Sequence, residues 1–97
     1  MIVLNVTYKC KPRMRDEFLE MIVTEGIDVA SRSDDGNLKY DYYIPADGGD
    51  ELLLVEKWTD ADALSKHLKK SHLARLGELK STYVIDAAIE KYEVHNG

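Results

Sequence analysis

Cysteine is nearly missing from this 97-residue chain. Cys10 stands alone, so no internal disulfide can form and a reducing, cytoplasmic setting is expected. Positive charge is also scarce: 13 Lys and Arg face 18 Asp and Glu, for a formal net charge of −5. A nucleic-acid surface needs a basic patch to displace phosphate counterions, so no nucleic-acid partner is expected. Long apolar runs are lacking too. The longest, such as LLLV at 52–55, fall far short of the roughly 20 residues a membrane-spanning helix requires, and no membrane partner is expected. Met1 leads into IVLNVTY without a basic stretch, which predicts no secretory leader. No Gly-rich phosphate loop, nucleophile elbow or CxxC motif occurs. What remains is an ordinary globular composition, 44% hydrophobic and 32% charged, that predicts one small domain over residues 1–97.

The chain reads in order as follows. IVLNVTYK at 2–9 is rich in β-branched and aromatic residues and predicts a strand. Pro12 suits the first turn of a helix. Met14, Phe18, Ile22 and Val29 then recur at helical spacing from Arg13 to about Ser31, with Leu19, Met21 and Val23 widening the stripe and Gly26 weakening it. SDDGN at 33–37 is a turn. LKYDYYI at 38–44 and ELLLVEKW at 51–58 predict a hairpin across Pro45 and the DGG at 47–49. Thr59, with Asp62 three residues on, predicts a capped helix carrying Ala63, Leu64, His67 and Leu68 on one face. Ser71 predicts the cap of a further helix whose buried side is Leu73, Leu76, Leu79 and Tyr83. VIDAAIEKYEV at 84–94 is a last strand, and HNG a frayed end. The order β-α-β-β-α-α-β in so short a chain points to an α+β, ferredoxin-like sandwich: a four-stranded antiparallel sheet with all helices on one face.

A sheet covered on one face only should alternate apolar with polar residues. Here it does not. Leu52 and Leu54 oppose Leu53 and Val55; Ile2, Leu4 and Val6 oppose Val3; Ile85, Ala87 and Ile89 oppose Val84 and Ala88. The second face is too apolar to leave in water, and a homodimer packed through the open sheet face is expected.

The stretch from Leu52 to Leu76 holds the only Trp, Trp58, and two of the three histidines, His67 and His72. Five residues apart, the histidines would diverge by about 140° on one unbroken helix, but a break near Lys70–Ser71 allows both to line one cavity. His72 then sits in the first turn of a helix, at the positive end of the macrodipole. Asn5, polar in an apolar strand, needs a partner if buried, and a ligand is one candidate. Trp58, Tyr40 and Tyr42 are candidate walls for a flat substrate, and each also reads as plain packing. No metal is expected, since the two histidines lack i, i+4 spacing and a visible third ligand.

Taken together, Gly36-Asn37-Leu38-Lys39-Tyr40, Glu56-Lys57-Trp58 and the His67–His72 pair resemble the antibiotic biosynthesis monooxygenase domain family over nearly the whole chain. The resemblance implies a dimeric ferredoxin-like fold with a pocket between sheet and helices. Among haem-degrading members, Asn5 has a counterpart, but His67 occupies the place of a Trp and Gly77 that of the haem-ligating His, so haem degradation is not implied. The implied activity is cofactor-independent oxygenation of a small aromatic or quinol-type substrate, with His67, His72 and Asn5 as catalytic candidates and Trp58, Tyr40 and Tyr42 as substrate contacts. The alternatives are an isomerase or degrading enzyme for a phosphorylated autoinducer-2-like ketone, and a non-catalytic small-molecule-binding dimer.

Overall fold

A computed structural model describes residues 1–95; most of the frayed end expected at 95–97 lies outside the described residues. The elements are β1 (Ile2–Cys10), α1 (Arg15–Thr24), α2 (Ile27–Arg32), β2 (Asn37–Tyr43), β3 (Glu51–Trp58), α3 (Ala61–His67), α4 (Ser71–Tyr83) and β4 (Val84–Glu93). The sheet is antiparallel in the order β2-β3-β1-β4, the ferredoxin-like arrangement, with the helices on one face. No described helix is long and apolar enough to cross a membrane.

The sequence predicts one long helix before β2, and the structure has two. Gly26 adopts φ +70, a left-handed conformation that ends α1 and redirects the chain into α2. The 3.6-residue pattern runs straight through the break, which is why the periodicity does not reveal it. The redirection changes what is buried. Phe18, Ile22 and Ile27 enter the core, whereas Val23 and Val29 are exposed. Two caps also shift by one residue. The Asp60 carboxylate, not the Thr59 hydroxyl, accepts the Ala63 N–H at 2.8 Å, while the Thr59 N–H donates to the Gly36 carbonyl at 2.9 Å. Ser71 is the first residue of α4 rather than its cap, and Lys70 before it makes no side-chain cap bond. Leu68, expected on the inner face, is largely exposed although it borders the space between α3, α4 and the sheet, because α3 ends at His67 and Leu68 stands in the turn beyond it.

The core lies between the helices and the inner sheet face. From β1 come Leu4, Val6 and Tyr8, and from β3 Leu52, Leu54, Glu56 and Trp58. Phe18 meets Tyr8 edge-on at 5.6 Å, and Leu64, Leu76 and Leu79 close the layer from α3 and α4. The outer face carries Val3, Asn5 and Thr7 of β1 beside Val55 and Leu53 of β3, all half-buried with no helix over them. β4 forms one edge of the sheet, with Ile85, Ile89 and Tyr92 exposed.

Candidate functional site

The site is built around the junction of α3 and α4. His67 is the last residue of α3 and His72 the second of α4. The intervening turn is closed by the Lys70 N–H on the His67 carbonyl at 3.0 Å, so the expected break exists and turns both rings the same way. Their centroids are 5.8 Å apart. The group that joins them comes from elsewhere. One oxygen of Asp34, Oδ2, lies 2.7 Å from His67 Nδ1 and 2.9 Å from His72 Nε2. An ionised carboxylate only accepts, so each imidazole donates an N–H to it.

Asp34 is held by the turn between α2 and β2. Its N–H donates to the Ser31 carbonyl at 3.2 Å, and its own carbonyl accepts from the Asn37 N–H at 3.0 Å. Gly36 in that turn has φ +80, and a Cβ there would lie 2.5 Å from the Ala63 Cβ and 2.7 Å from the Thr59 hydroxyl oxygen. Only glycine lets the turn sit this close to the start of α3. The turn therefore delivers Asp34 to the histidines.

Electrostatics sharpen the arrangement. Burial pushes the Asp34 carboxyl up, but the hydrogen bonds from His67 and His72 outweigh it and hold the group below the usual carboxylate range. His67 is 1% exposed; burial favours its neutral form more strongly than Asp34 favours its cation, and its pKa is lowered. A neutral His67 that donates from Nδ1 carries its lone pair on Nε2. That nitrogen faces Glu56, whose Oε1 is 3.9 Å away, too far for a direct hydrogen bond. Glu56 is itself buried. Desolvation raises its pKa to about 7, against the opposing donation from the Trp58 indole N–H at 3.1 Å.

His67 and Glu56 open onto a cavity of about 300 Å³ between the inner sheet face and helices α3 and α4. Its walls are mainly apolar, with Leu4, Val6, Leu64, Leu73 and Leu76 prominent, and it falls at the small end of the range usual for ligand pockets. Tyr40 lines it as well; burial raises that phenol to about 12, so it stays protonated and can donate.

The remaining sequence candidates lie apart from this cavity. His72 does not line it but stands behind Asp34. Trp58 is fully buried and stacks against His67 at 4.4 Å, backing the imidazole rather than walling the cavity. Tyr42 borders a separate groove with Leu19 and Val23. Asn5 points from the outer sheet face, between Val55 and Glu90, because residues of odd number on β1 face away from the helices. The sequence reading missed two groups, Asp34 and the role of Glu56. An acid in an S-D-D-G-N turn reads as turn chemistry. The only sign of Glu56's position is its parity with the buried Leu52, Leu54 and Trp58.

Asp34, His67 and His72 also place three potential metal donors within 4.8 Å of one another, a cluster the sequence spacing did not disclose. The fit to an ion is poor. Ligands around a tetrahedral zinc lie about 3.3 Å apart at bond lengths near 2.0 Å, whereas the Asp34 oxygen is in hydrogen-bond contact with both imidazoles. The spacing is that of a proton network.

Known proteins share this architecture. The structure of PA3566 from Pseudomonas aeruginosa superposes with a TM-score of 0.84 at 22% identity, covering 98% of this chain and 94% of that one. Rv0793 from Mycobacterium tuberculosis gives 0.85 at 22%, covering 99% and 96%. Both likenesses speak to the fold. In sequence, the Bacillus subtilis (strain 168) protein named "Putative monooxygenase YcnE" is 33% identical over 72 residues, 74% of each chain. The family model described as antibiotic biosynthesis monooxygenase matches residues 1–78. This chain belongs to the antibiotic biosynthesis monooxygenase family.

Proposed function

We propose that the protein is a cofactor-independent monooxygenase for a small aromatic phenol or quinol, with His67 as the base that starts the reaction. The observation that carries this reading is the Asp34–His67 contact of 2.7 Å behind an imidazole that opens onto an apolar cavity. Asp34 fixes the tautomer and stabilises the imidazolium formed when Nε2 takes the substrate's hydroxyl proton. His72 holds Asp34 from the other side. The buried Glu56, protonated up to about pH 7, donates to oxygen that becomes anionic. The apolar walls favour a diffuse phenolate over a compact anion.

The electrons come from the substrate itself. The phenolate passes one to O2, and the radical pair recombines at a ring carbon that carries hydrogen, para to the hydroxyl in a simple phenol and ortho to it in a quinol, whose para carbon already bears oxygen. Loss of that carbon's hydrogen with cleavage of the O–O bond gives a quinone and water, so that phenol plus O2 equals quinone plus water. A phosphorylated ketone is less well supported. Lys66 pairs with Asp62 and Arg75 with Glu25, and neither lines the cavity; the lysine that does, Lys80, lies by Tyr8 and not beside His67.

The second part of the proposal is a homodimer. The half-buried Val3, Leu53 and Val55 lie on the uncovered sheet face, and Ile85 and Ile89 on β4 are 59% and 66% exposed. Ile89 also lines the cavity, so a second copy against β4 would close the rim of the pocket.

Oxygen uptake with a panel of quinols and naphthols tests the activity. Uptake matched by a product one oxygen atom richer, with no hydrogen peroxide released, is expected, with His67→Gln reducing kcat at least roughly 100-fold, the usual worth of a positioned base. Turnover that continues without O2, or full activity in that variant, overturns the reading.

A further inference from the structure

We infer that Lys80 is an anchor for an anionic group on the substrate, at the end of the cavity away from His67. This rests on the cavity being the substrate site but not on the reaction carried out there. Apart from His67, Lys80 is the one basic residue among those lining the cavity. It is half-buried on α4, and no carboxylate lies within salt-bridge distance of its ammonium among the described residues; the ion pairs involve other lysines and arginines. Its Nζ lies instead 5.7 Å from the centre of the Tyr8 ring. A half-buried cation whose sole close partner is an aromatic face gains strongly from an anion brought into an apolar site.

The register gives the distance. Glu56 pairs with Leu4, and Leu52 with Tyr8. The level of Glu56 and the level of Tyr8 are therefore four residues apart along β1, about 13 Å. His67 stands at the Glu56 end, against Trp58 and Tyr40. The ligand that satisfies both ends has a hydroxyl at one pole, a carboxylate at the other, and a flat apolar body between them. With a hydrogen bond of about 2.9 Å at each pole, that span leaves room for a body of one or two aromatic rings.

Calorimetric titration with 6-hydroxy-2-naphthoate and its methyl ester tests this, since the pair differs only in charge at the far pole. The native protein should bind the acid at least tenfold more tightly than the ester. Lys80→Met keeps the apolar stem and should lose that preference while binding the ester within threefold of the native protein. Lys80→Arg should keep it. Equal affinity for the two probes, no binding of the acid, or a preference that survives Lys80→Met overturns the inference. Oxygen uptake is a separate readout. Charge preference without uptake leaves Lys80 as a recognition residue in a protein that is not an oxygenase, and uptake without charge preference does the reverse.

Discussion

Asp34 is the residue on which the proposed chemistry turns, and its two hydrogen bonds make sharp demands. Asp34→Asn replaces an acceptor-only carboxylate by an amide that can also donate, so His67 is free to take the other tautomer and present N–H to the cavity. A loss of roughly 10²- to 10⁴-fold in kcat is expected, with Tm lowered by only a few degrees. Stability should follow the same pair. Asp34 titrates lower in the folded protein than its ordinary value, and so does His67. The folded state thus binds fewer protons than the unfolded one, and the stabilisation is present above the ordinary values and lost on acidification. Chemical denaturation below about pH 4, where Glu56 is protonated in folded and unfolded chains alike, should show a decline that Asp34→Asn flattens.

Glu56 runs the opposite way. Its folded pKa of about 7 lies above the ordinary 4.5, so the folded protein binds the extra proton between those values and stability falls as pH rises through them. Glu56→Gln should stabilise at pH 8 by up to about 3 kcal/mol, at 1.36 kcal/mol per unit, and by little at pH 4. Equal effects at both pH values would count against a buried, uncompensated carboxyl. None of this was legible in the sequence. Asp34 and His67 are 33 residues apart, and their meeting is a tertiary event that no local pattern encodes. For Asn5, alternation marks a polar residue opposite Leu4 and Val6, on the face the helices leave uncovered, but not what that face meets.

Elements were easier to read than contacts. Strand and helix periodicity located all four strands to within a residue or so, because each strand is dense in β-branched and aromatic side chains bounded by turn residues. A break near Lys70–Ser71 was legible too, since Ser71 reads as a helix start, although α3 ends sooner, at His67. The split at Gly26 was not, because a left-handed glycine leaves the apolar spacing intact on either side. A different glycine governs the site. Gly36→Ala puts a methyl group against Ala63 and Thr59 in a left-handed backbone conformation. A loss of about 2–4 kcal/mol is expected from overpacking and strain together, with activity reduced beyond what the lost stability explains. Gly26→Ala meets open space and should cost only about 1 kcal/mol with activity unchanged. Urea denaturation and oxygen uptake on the two variants separate a glycine that places a catalytic group from one that merely bends a helix.

At the level of the whole molecule the apolar surface left by the fold is the testable quantity. Sedimentation should find a dimer at micromolar concentration, and Ile89→Asp, which puts a charge on exposed β4, should shift it toward monomer while the far-ultraviolet spectrum stays native. A native chain that sediments as a folded monomer at high concentration would remove the second copy from the proposal. Expectation of an apolar outer face came directly from the doubled hydrophobic pattern of β1 and β3. The exposed inner side of β4 is a fact of topology, since the helices do not extend over the sheet edge.

The family model matches residues 1–78, while the fold, β4 included, is shared with PA3566 over 98% of this chain. Every group assigned to proton handling, Asp34, Glu56, His67 and His72, falls within residues 1–78, whereas Lys80, Ala87 and Ile89 at the cavity rim fall after them. The cavity wall is drawn from both stretches, with Leu4, Val6, Leu64, Leu73 and Leu76 inside the matched one. If the proposed function holds, changes at Lys80, Ala87 and Ile89 are expected to alter what the cavity admits while leaving Asp34, Glu56, His67 and His72 in place.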